Sequence, residues 1–306
     1  MTQSKNHRWW LYIPWAAFIL AAIAWCVYWF ILAGEVEKRI EAFAAAHTEA
    51  GGAAAIGAIE RHGFPVLLHF ELRDVDFAPK DRAWRAGTSD VALHVNLTNP
   101  REFWLERQAP IAIQHGEDRS TLDADAMVLS LRFGDDALRY AGLEADRLRL
   151  DDPSADGAFT VEKIVVNARP DPRNAEEDWQ IAVLIDAMHL ARPAKAFEDL
   201  GQDIAHLQAA IVRTADARGR VEAAEFSWGE LSASATGEIG LDEQRRLQGR
   251  LELIAPREAL RLLPSPMRAA ILLHRPTQDP LPLALEAADG RLKLEGRAVR
   301  DLAPLY

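Results

Sequence analysis

The sequence predicts an α+β protein in which a single N-terminal transmembrane helix precedes a β-rich antiparallel domain. The sheet of this domain is expected to curve and to pack on one or two amphipathic helices. Two observations lead to this prediction. Residues 9–33 form an uncharged run, WWLYIPWAAFILAAIAWCVYWFILA. Beyond residue 62, apolar side chains recur at every second position in several segments, which is the period of strands with one buried face.

The uncharged run is long enough to span a bilayer, because about 20 residues at ~1.5 Å each cross a hydrocarbon core of about 30 Å. Aromatic residues at both ends resemble the interfacial belts of membrane helices. A signal peptide cleaved after Ala24 and a buried core helix are the alternatives. The run exceeds the roughly 7–15 apolar residues of a signal peptide and lacks a polar face, which disfavours both. The predicted anchor belt contains Trp9, Trp10, Trp15, Trp25, Tyr28 and Trp29.

Charge and cysteine content bear on the compartment. The chain has 46 acidic and 35 basic residues, a net charge of −11, which argues against a nucleic-acid partner. Its single cysteine, Cys26, lies inside the apolar run, and a cysteine-free remainder suits an oxidising compartment. Because the flank before the run is very short and a large domain follows it, we expect a single-pass membrane protein with a cytoplasmic N-terminus and the large domain outside the cytoplasm.

The predicted organisation has three parts. Residues 1–33 are a cytoplasmic stub and the anchor, and residues 34–62 are a juxtamembrane helix with a stop signal at Gly51-Gly52. Residues 63–306 are the β-rich domain, which the pattern also allows to be two halves, 63–190 and 220–306, around a helix at 194–213.

Within the β-rich part, alternation from Val66 to Leu72 slips by one residue near Arg73-Asp74, which predicts a bulge or a strand break. The best-defined hairpin turns at Asp289-Gly290, a strong two-residue turn signal. This turn places Leu285 opposite Leu294 and Ala287 opposite Leu292, so the turn register and the apolar pattern agree.

The helix predicted at 194–213 follows Pro193 and carries an apolar stripe at spacings of three and four. We expect this stripe to lie against the concave face of the sheet and to form one wall of an apolar groove. The candidate groove residues are Phe197, Leu200, Ile204, Leu207 and Ile211.

The sequence lacks the strong catalytic and cofactor motifs, including the nucleophile elbow, the phosphate-binding loop and the helical zinc motif. His62, His69 and His94 form a metal site only if the strands bring them together, and exposed or capping histidines are the favoured interpretation. The sequence therefore predicts no catalytic residue, no metal, no cofactor and no enzymatic activity.

Several short motifs along the chain resemble one bacterial family. They are the span ending in Tyr28-Trp29-Phe30, the Gly63-Phe64-Pro65 turn, Asn99-Pro100, the Gly237–Leu253 hairpin and the Ala303-Pro304-Leu305-Tyr306 tail. The chain resembles the membrane-anchored domain of unknown function 2125 family and is distantly similar to AsmA-like envelope proteins. The resemblance implies an inner-membrane anchor, a β-rich periplasmic domain and a role in lipid handling or envelope assembly.

Two functions follow as expectations. The first is a membrane-anchored protein that binds membrane lipids or supports envelope assembly. The alternative is a membrane-tethered interaction module with an envelope protein as its partner and no lipid ligand.

Overall fold

The structure is a computed structural model. It describes residues 12–135, 137–152, 158–174, 178–192, 200–214, 218–242, 246–262, 265–275 and 277–301. The chain divides into two compact units, residues 1–117 (unit 1) and 118–306 (unit 2). One long N-terminal helix and many antiparallel strands confirm the α+β prediction. The division falls at residue 117, not around the predicted helix at 194–213.

Unit 1 begins with helix α1, Ile13–Glu49. Pro14 occupies its first turn, where the missing N–H costs nothing. The helix ends at the predicted Gly51-Gly52 stop, where Gly51 has φ +96° and both glycine N–H groups donate to carbonyls of the last turn. The predicted helix at 34–62 is therefore 13 residues too long, because residues 53–62 form two short strands instead.

Six antiparallel strands complete unit 1: β1 (Ala53–Ala55), β2 (Ala58–His62), β3 (Leu68–Ala78), β4 (Arg85–Val95), β5 (Glu102–Arg107) and β6 (Ile111–His115). Helix α1 lies along β3, because Trp29 contacts Leu67 at the start of the strand and His47 contacts Ala78 at its end. The core contains Trp29, Leu32 and Ala33 of the helix with Leu68, Phe70 and Leu72 of β3, together with Leu93, Val95 and Leu97.

The predicted phase slip in β3 has a specific cause. Asp74 has φ +51°, yet β3 and β4 keep the same register before and after it. Leu72 and Val75, three residues apart, therefore both pack on the core of unit 1. The predicted bulge or strand break is therefore wrong, because β3 is continuous and bends at a left-handed residue without gaining an extra one.

Unit 2 is mostly an antiparallel meander. Its first six strands are β7 (Asp118–Asp123), β8 (Ala126–Phe133), β9 (Leu138–Asp151), β10 (Phe159–Pro170), β11 (Trp179–Leu190) and β12 (Asp203–Arg213). The next six are β13 (Gly219–Trp228), β14 (Leu231–Leu241), β15 (Leu247–Ala255), β16 (Leu281–Ala288), β17 (Arg291–Leu294) and β18 (Arg297–Asp301). Between β15 and β16 lie a 3-10 helix, Arg257–Leu262, and helix α2, Ser265–His274.

The terminal hairpin is confirmed. Asp289 and Gly290 both have positive φ, +55° and +70°, as a two-residue turn that matches strand twist requires. Leu285 pairs with Leu294, which is buried in a cluster with Leu281 and Leu283.

The helix predicted at 194–213 is wrong, since residues 203–213 form strand β12. The error comes from a sharp bend that crosses strands β9 to β12, called the crease below. Arg147 in β9 and Ala187 in β11 have φ near +50°, and each interrupts the pairing of its strand with β10. The register of both pairs is the same before and after the interruption. Ile185 and Met188, three residues apart, consequently lie in the same apolar cluster.

The crease continues into β12. Leu207 pairs with Ile185 and Ile204 pairs with Met188, and directly paired residues project from the same sheet face. The three-residue spacing that resembles a helical stripe is therefore the spacing of a creased strand.

Candidate functional site

One face of the unit 2 sheet is apolar from strand to strand. The row through the candidate residue Leu207 runs across seven strands, and every member pairs with the next. It consists of Met127, Ala145, Ile164, Ile185, Leu207, Phe226 and Ala233.

Two further rows on the same face are apolar as well. One contains Leu129, Leu143, Val166, Val183, Ala209, Ala224, Ala235, Leu253 and Leu283. The other contains Leu131, Ala141, Ala168, Ile181, Ile211, Val221, Gly237, Leu251, Leu285 and Leu294. These three rows are called the apolar face below.

The cover over the apolar face differs from end to end. At the β15–β17 end, Met267 and Ile271 of α2 and Leu260 of the 3-10 helix pack with Leu283 and Leu294 in one buried cluster. Over β10–β13, the larger side chains stay half-buried: Ile164, Ile185, Leu207 and Phe226. Among the described residues, the cluster around Ile185 contains residues from strands and a strand connection only.

The five predicted groove residues have different outcomes. Leu207 and Ile211 lie half-buried on the apolar face, although on a strand rather than a helix, and Ile204 is half-buried in the next row, where it pairs with Met188. Leu200 is half-buried just before β12, and Phe197 lies outside the described residues. The two-residue spacing of Phe226 and Trp228 predicts a strand, but it does not place these residues in the groove; in the structure they pair with Leu207 and Ile204.

The opposite face of the unit 2 sheet carries polar pairs. Asp186 Oδ1 and His206 Nδ1 are 2.6 Å apart, and Ser227, opposite His206 on the next strand, shares a 3.0 Å hydrogen bond with Ser232. Acid, imidazole and hydroxyl thus follow one another across three strands. The hydrogen bonds form two separate cross-strand pairs, Asp186 with His206 and Ser227 with Ser232, and the Ser227 hydroxyl is engaged with the second serine.

In unit 1, the three later residues of the predicted anchor belt form hydrogen bonds with backbone carbonyls outside the helix. Trp25 Nε1 donates to the Pro65 carbonyl, Tyr28 Oη to the Leu97 carbonyl and Trp29 Nε1 to the Leu67 carbonyl, each at 2.8 Å. These three residues are called the aromatic collar.

The other belt residues differ from the collar. Trp15 is 68% exposed on α1, whereas Trp29 is 4% exposed and belongs to the core. Trp9 and Trp10 lie outside the described residues. The helix as a whole is long and apolar enough, by length and composition, to cross a membrane.

The strands of unit 1 do bring the three histidines together. His62, His69 and His94 are cross-strand neighbours whose rings stack at centroid distances of 5.1 and 5.4 Å, and Trp104 continues the stack at 5.5 Å. Burial, together with His94 and His62 on either side, lowers the pKa of His69. The stack is therefore most stable when its central ring is neutral.

One end of the histidine stack has the composition of a cation site. One ligand atom each from Glu60, His62 and Glu71 lies within 4.8 Å of the other two. His62 Nε2 stands 3.7 Å from Glu60 and 3.8 Å from Glu71. The same arrangement is an ordinary surface ion pair when His62 is protonated, and all three side chains are at least 30% exposed.

Comparison with known proteins gives one match. A family model described as an uncharacterised protein conserved in bacteria, domain of unknown function 2125, matches residues 29–303. No curated protein and no solved structure matches the chain. The match confirms the family resemblance, while the distant similarity to AsmA-like proteins stays a prediction.

Proposed function

The chain belongs to this uncharacterised bacterial family, and from that premise we propose that it is an inner-membrane-anchored envelope protein whose apolar face binds the acyl chains of lipids. The observation behind the proposal is the apolar face itself, three uninterrupted rows whose central members stay half-buried. Exposed methylene groups favour burial by about 0.8 kcal/mol each, so a lipid chain gains by lying along these rows.

The anchor belongs to the same proposal. The first half of α1 carries exposed apolar side chains, including Phe18, Leu20 and Ile23, which a bilayer would cover. Its continuation supplies Trp29, Leu32 and Ala33 to the core of unit 1, which favours retention of the helix over its removal as a signal sequence.

Topology is tested with C-terminal reporter fusions to the full chain. The proposal expects active alkaline phosphatase and a dark cytoplasmic fluorophore, and the reverse pattern would overturn the periplasmic orientation.

Lipid binding is tested by placing a photoreactive benzoyl-phenylalanine at position 207 of the full chain in cells. Gln208, the next residue along β12, is exposed and projects from the other face, so it is the matched control. We expect mass spectrometry to find an adduct of one phospholipid at position 207 and none at 208.

Other results separate the alternatives. Crosslinking of position 207 to an envelope protein would support the interaction module instead, and equal lipid labelling at both positions would remove the argument for the apolar face. As a second readout, Leu207→Asp should reduce co-purifying lipid while the far-UV circular dichroism spectrum is retained, and Gln208→Asp should change neither.

A further inference from the structure

The turn between β2 and β3 presents apolar side chains to the outside. Phe64 is 50% exposed, Val66 72% and Leu67 65%, although each is bulky and apolar. Val66 and Leu67 N–H groups both donate to the Gly63 carbonyl, which fixes a tight turn. We call residues 63–67 the apolar turn.

The apolar turn lies against the part of α1 that precedes its first charged residue. Pro65 accepts the Trp25 hydrogen bond and Leu67 accepts that of Trp29. The Phe64 ring meets the Trp29 ring edge to face at a centroid distance of 5.3 Å and lies tilted against the Phe30 ring at 5.4 Å. The turn and the helix thus form one apolar surface.

Charged contacts mark where this surface ends. The first charged residue of the described helix is Glu35, and Arg61, just before the turn, pairs with Glu37 at 3.4 Å. At ~1.5 Å per helical residue, Trp25 lies about 15 Å before Glu35 along the axis. The apolar turn therefore extends from the polar boundary well into the depth occupied by the uncharged run.

We propose that the apolar turn, residues 63–67, inserts into the phospholipid bilayer beside α1, so that unit 1 is partly embedded in the leaflet it faces. This inference rests on the proposed anchoring of α1. It commits to a lipid surface because the turn is continuous with the helix that enters the membrane, and because backbone carbonyls at Pro65 and Leu67 are already satisfied by indole N–H groups. In hydrocarbon, unpaired carbonyls are costly, and these two are paired.

The test uses the full chain in a Cys26→Ser background, which removes its only cysteine. Val66→Cys is labelled with an environment-sensitive fluorophore and reconstituted in vesicles of phosphatidylethanolamine and phosphatidylglycerol carrying acyl-chain spin-label quenchers. Lys80→Cys is the control, because residue 80 is exposed beyond the other end of β3, a strand about 33 Å long at ~3.3 Å per residue.

We expect a blue-shifted emission at position 66, quenching by the lipid spin label and loss of quenching by aqueous iodide, with the opposite behaviour at position 80. A third label at Ile19→Cys, within the uncharged run, separates the two proposals. Lipid quenching at position 19 together with iodide quenching at position 66 would overturn the inserted turn but leave the anchor intact. Water at both positions overturns the anchor and the turn together, and equal lipid quenching at 66 and 80 overturns selective insertion.

Discussion

Units 1 and 2 are both built from antiparallel strands, but the apolar face of the sheet is covered differently in each. In unit 1, α1 lies along β3, and the apolar side chains between them are almost fully buried, with Phe70 at 0% and Leu68 at 2% exposure. In unit 2, equally apolar rows over β10–β13 stay half-buried. Alternation in a sequence thus identifies an apolar face, but it does not reveal what covers that face.

The most direct test of this difference is the same substitution, Leu→Ala, made once in each unit. Leu68→Ala removes a fully enclosed side chain, so it should cost about 2–5 kcal/mol of local stability. Leu207→Ala, on the half-buried apolar face, should cost less than about 2 kcal/mol because fewer contacts are lost. Hydrogen exchange of peptides from β3 and β12 measures each unit separately, and equal losses would contradict the comparison.

Unit 2 should depend strongly on its turns. Gly290 has φ +70°, which a β-branched residue adopts only with strain, and an added Cβ would stand 2.6 Å from Arg246 Nη1. Gly290→Val should therefore destabilise unit 2 by about 1–3 kcal/mol, measured by thermal unfolding. Gly290→Asn, which tolerates this conformation better, is the matched control and should cost less. An unchanged melting temperature for the Val variant would argue against the turn.

The close approach of the β14 and β15 backbones at Gly249 should give a smaller loss of stability when it is disturbed. A Cβ on Gly249 would lie 2.2 Å from the Glu238 carbonyl oxygen, and the φ of Gly249 is +143°. Gly249→Ala should cost at least about 1 kcal/mol. A Cβ on Gly240 in the paired strand would have Arg218 Cγ, at 3.4 Å, as its nearest neighbour, so Gly240→Ala should be tolerated. Urea unfolding should separate the two variants, and identical midpoints would contradict the close approach.

Acid should weaken the two units in different pH ranges. In unit 1, the lowered pKa of His69 means that the unfolded state takes up a proton first, so stability falls as the pH drops below 6.5. In unit 2, hydrogen bonds from Arg173 lower the pKa of Asp171, whose contribution is present above about pH 3.8 and is lost as the pH falls further.

Acid titrations followed by hydrogen exchange should show these losses as small, separate components. His69→Gln should remove the component of unit 1, and Asp171→Asn that of unit 2. If either variant kept the full pH dependence of the parent, the assignment of that group would be wrong.

Local chemistry explains what the sequence could predict. The Asp289-Gly290 turn and the Gly51-Gly52 stop depend on neighbouring residues, and both are in the structure. The phase slip near Asp74 is also in the structure, but it comes from a bend and not from the predicted bulge or strand break. The helix predicted over β12 failed because a crease, set by Arg147 and Ala187 on other strands, changes which residues share a face.

The aromatic collar could not be predicted either. Its hydrogen bonds join residues 38 to 69 positions apart, so no window of sequence contains both partners. The sequence places these aromatic residues near the second end of the uncharged run, in the middle of α1, while only the fold shows that their N–H and O–H groups donate to backbone carbonyls of unit 1.

The unbroken helix also has a mechanical consequence. Because α1 passes into the core of unit 1 without a linker, an anchored chain gives this unit no slack to swing or reach. Its position along the membrane normal is then fixed, and it meets other molecules by lateral diffusion in the plane of the membrane. Under the proposed anchoring, whatever unit 1 meets must either share its membrane or come to that surface.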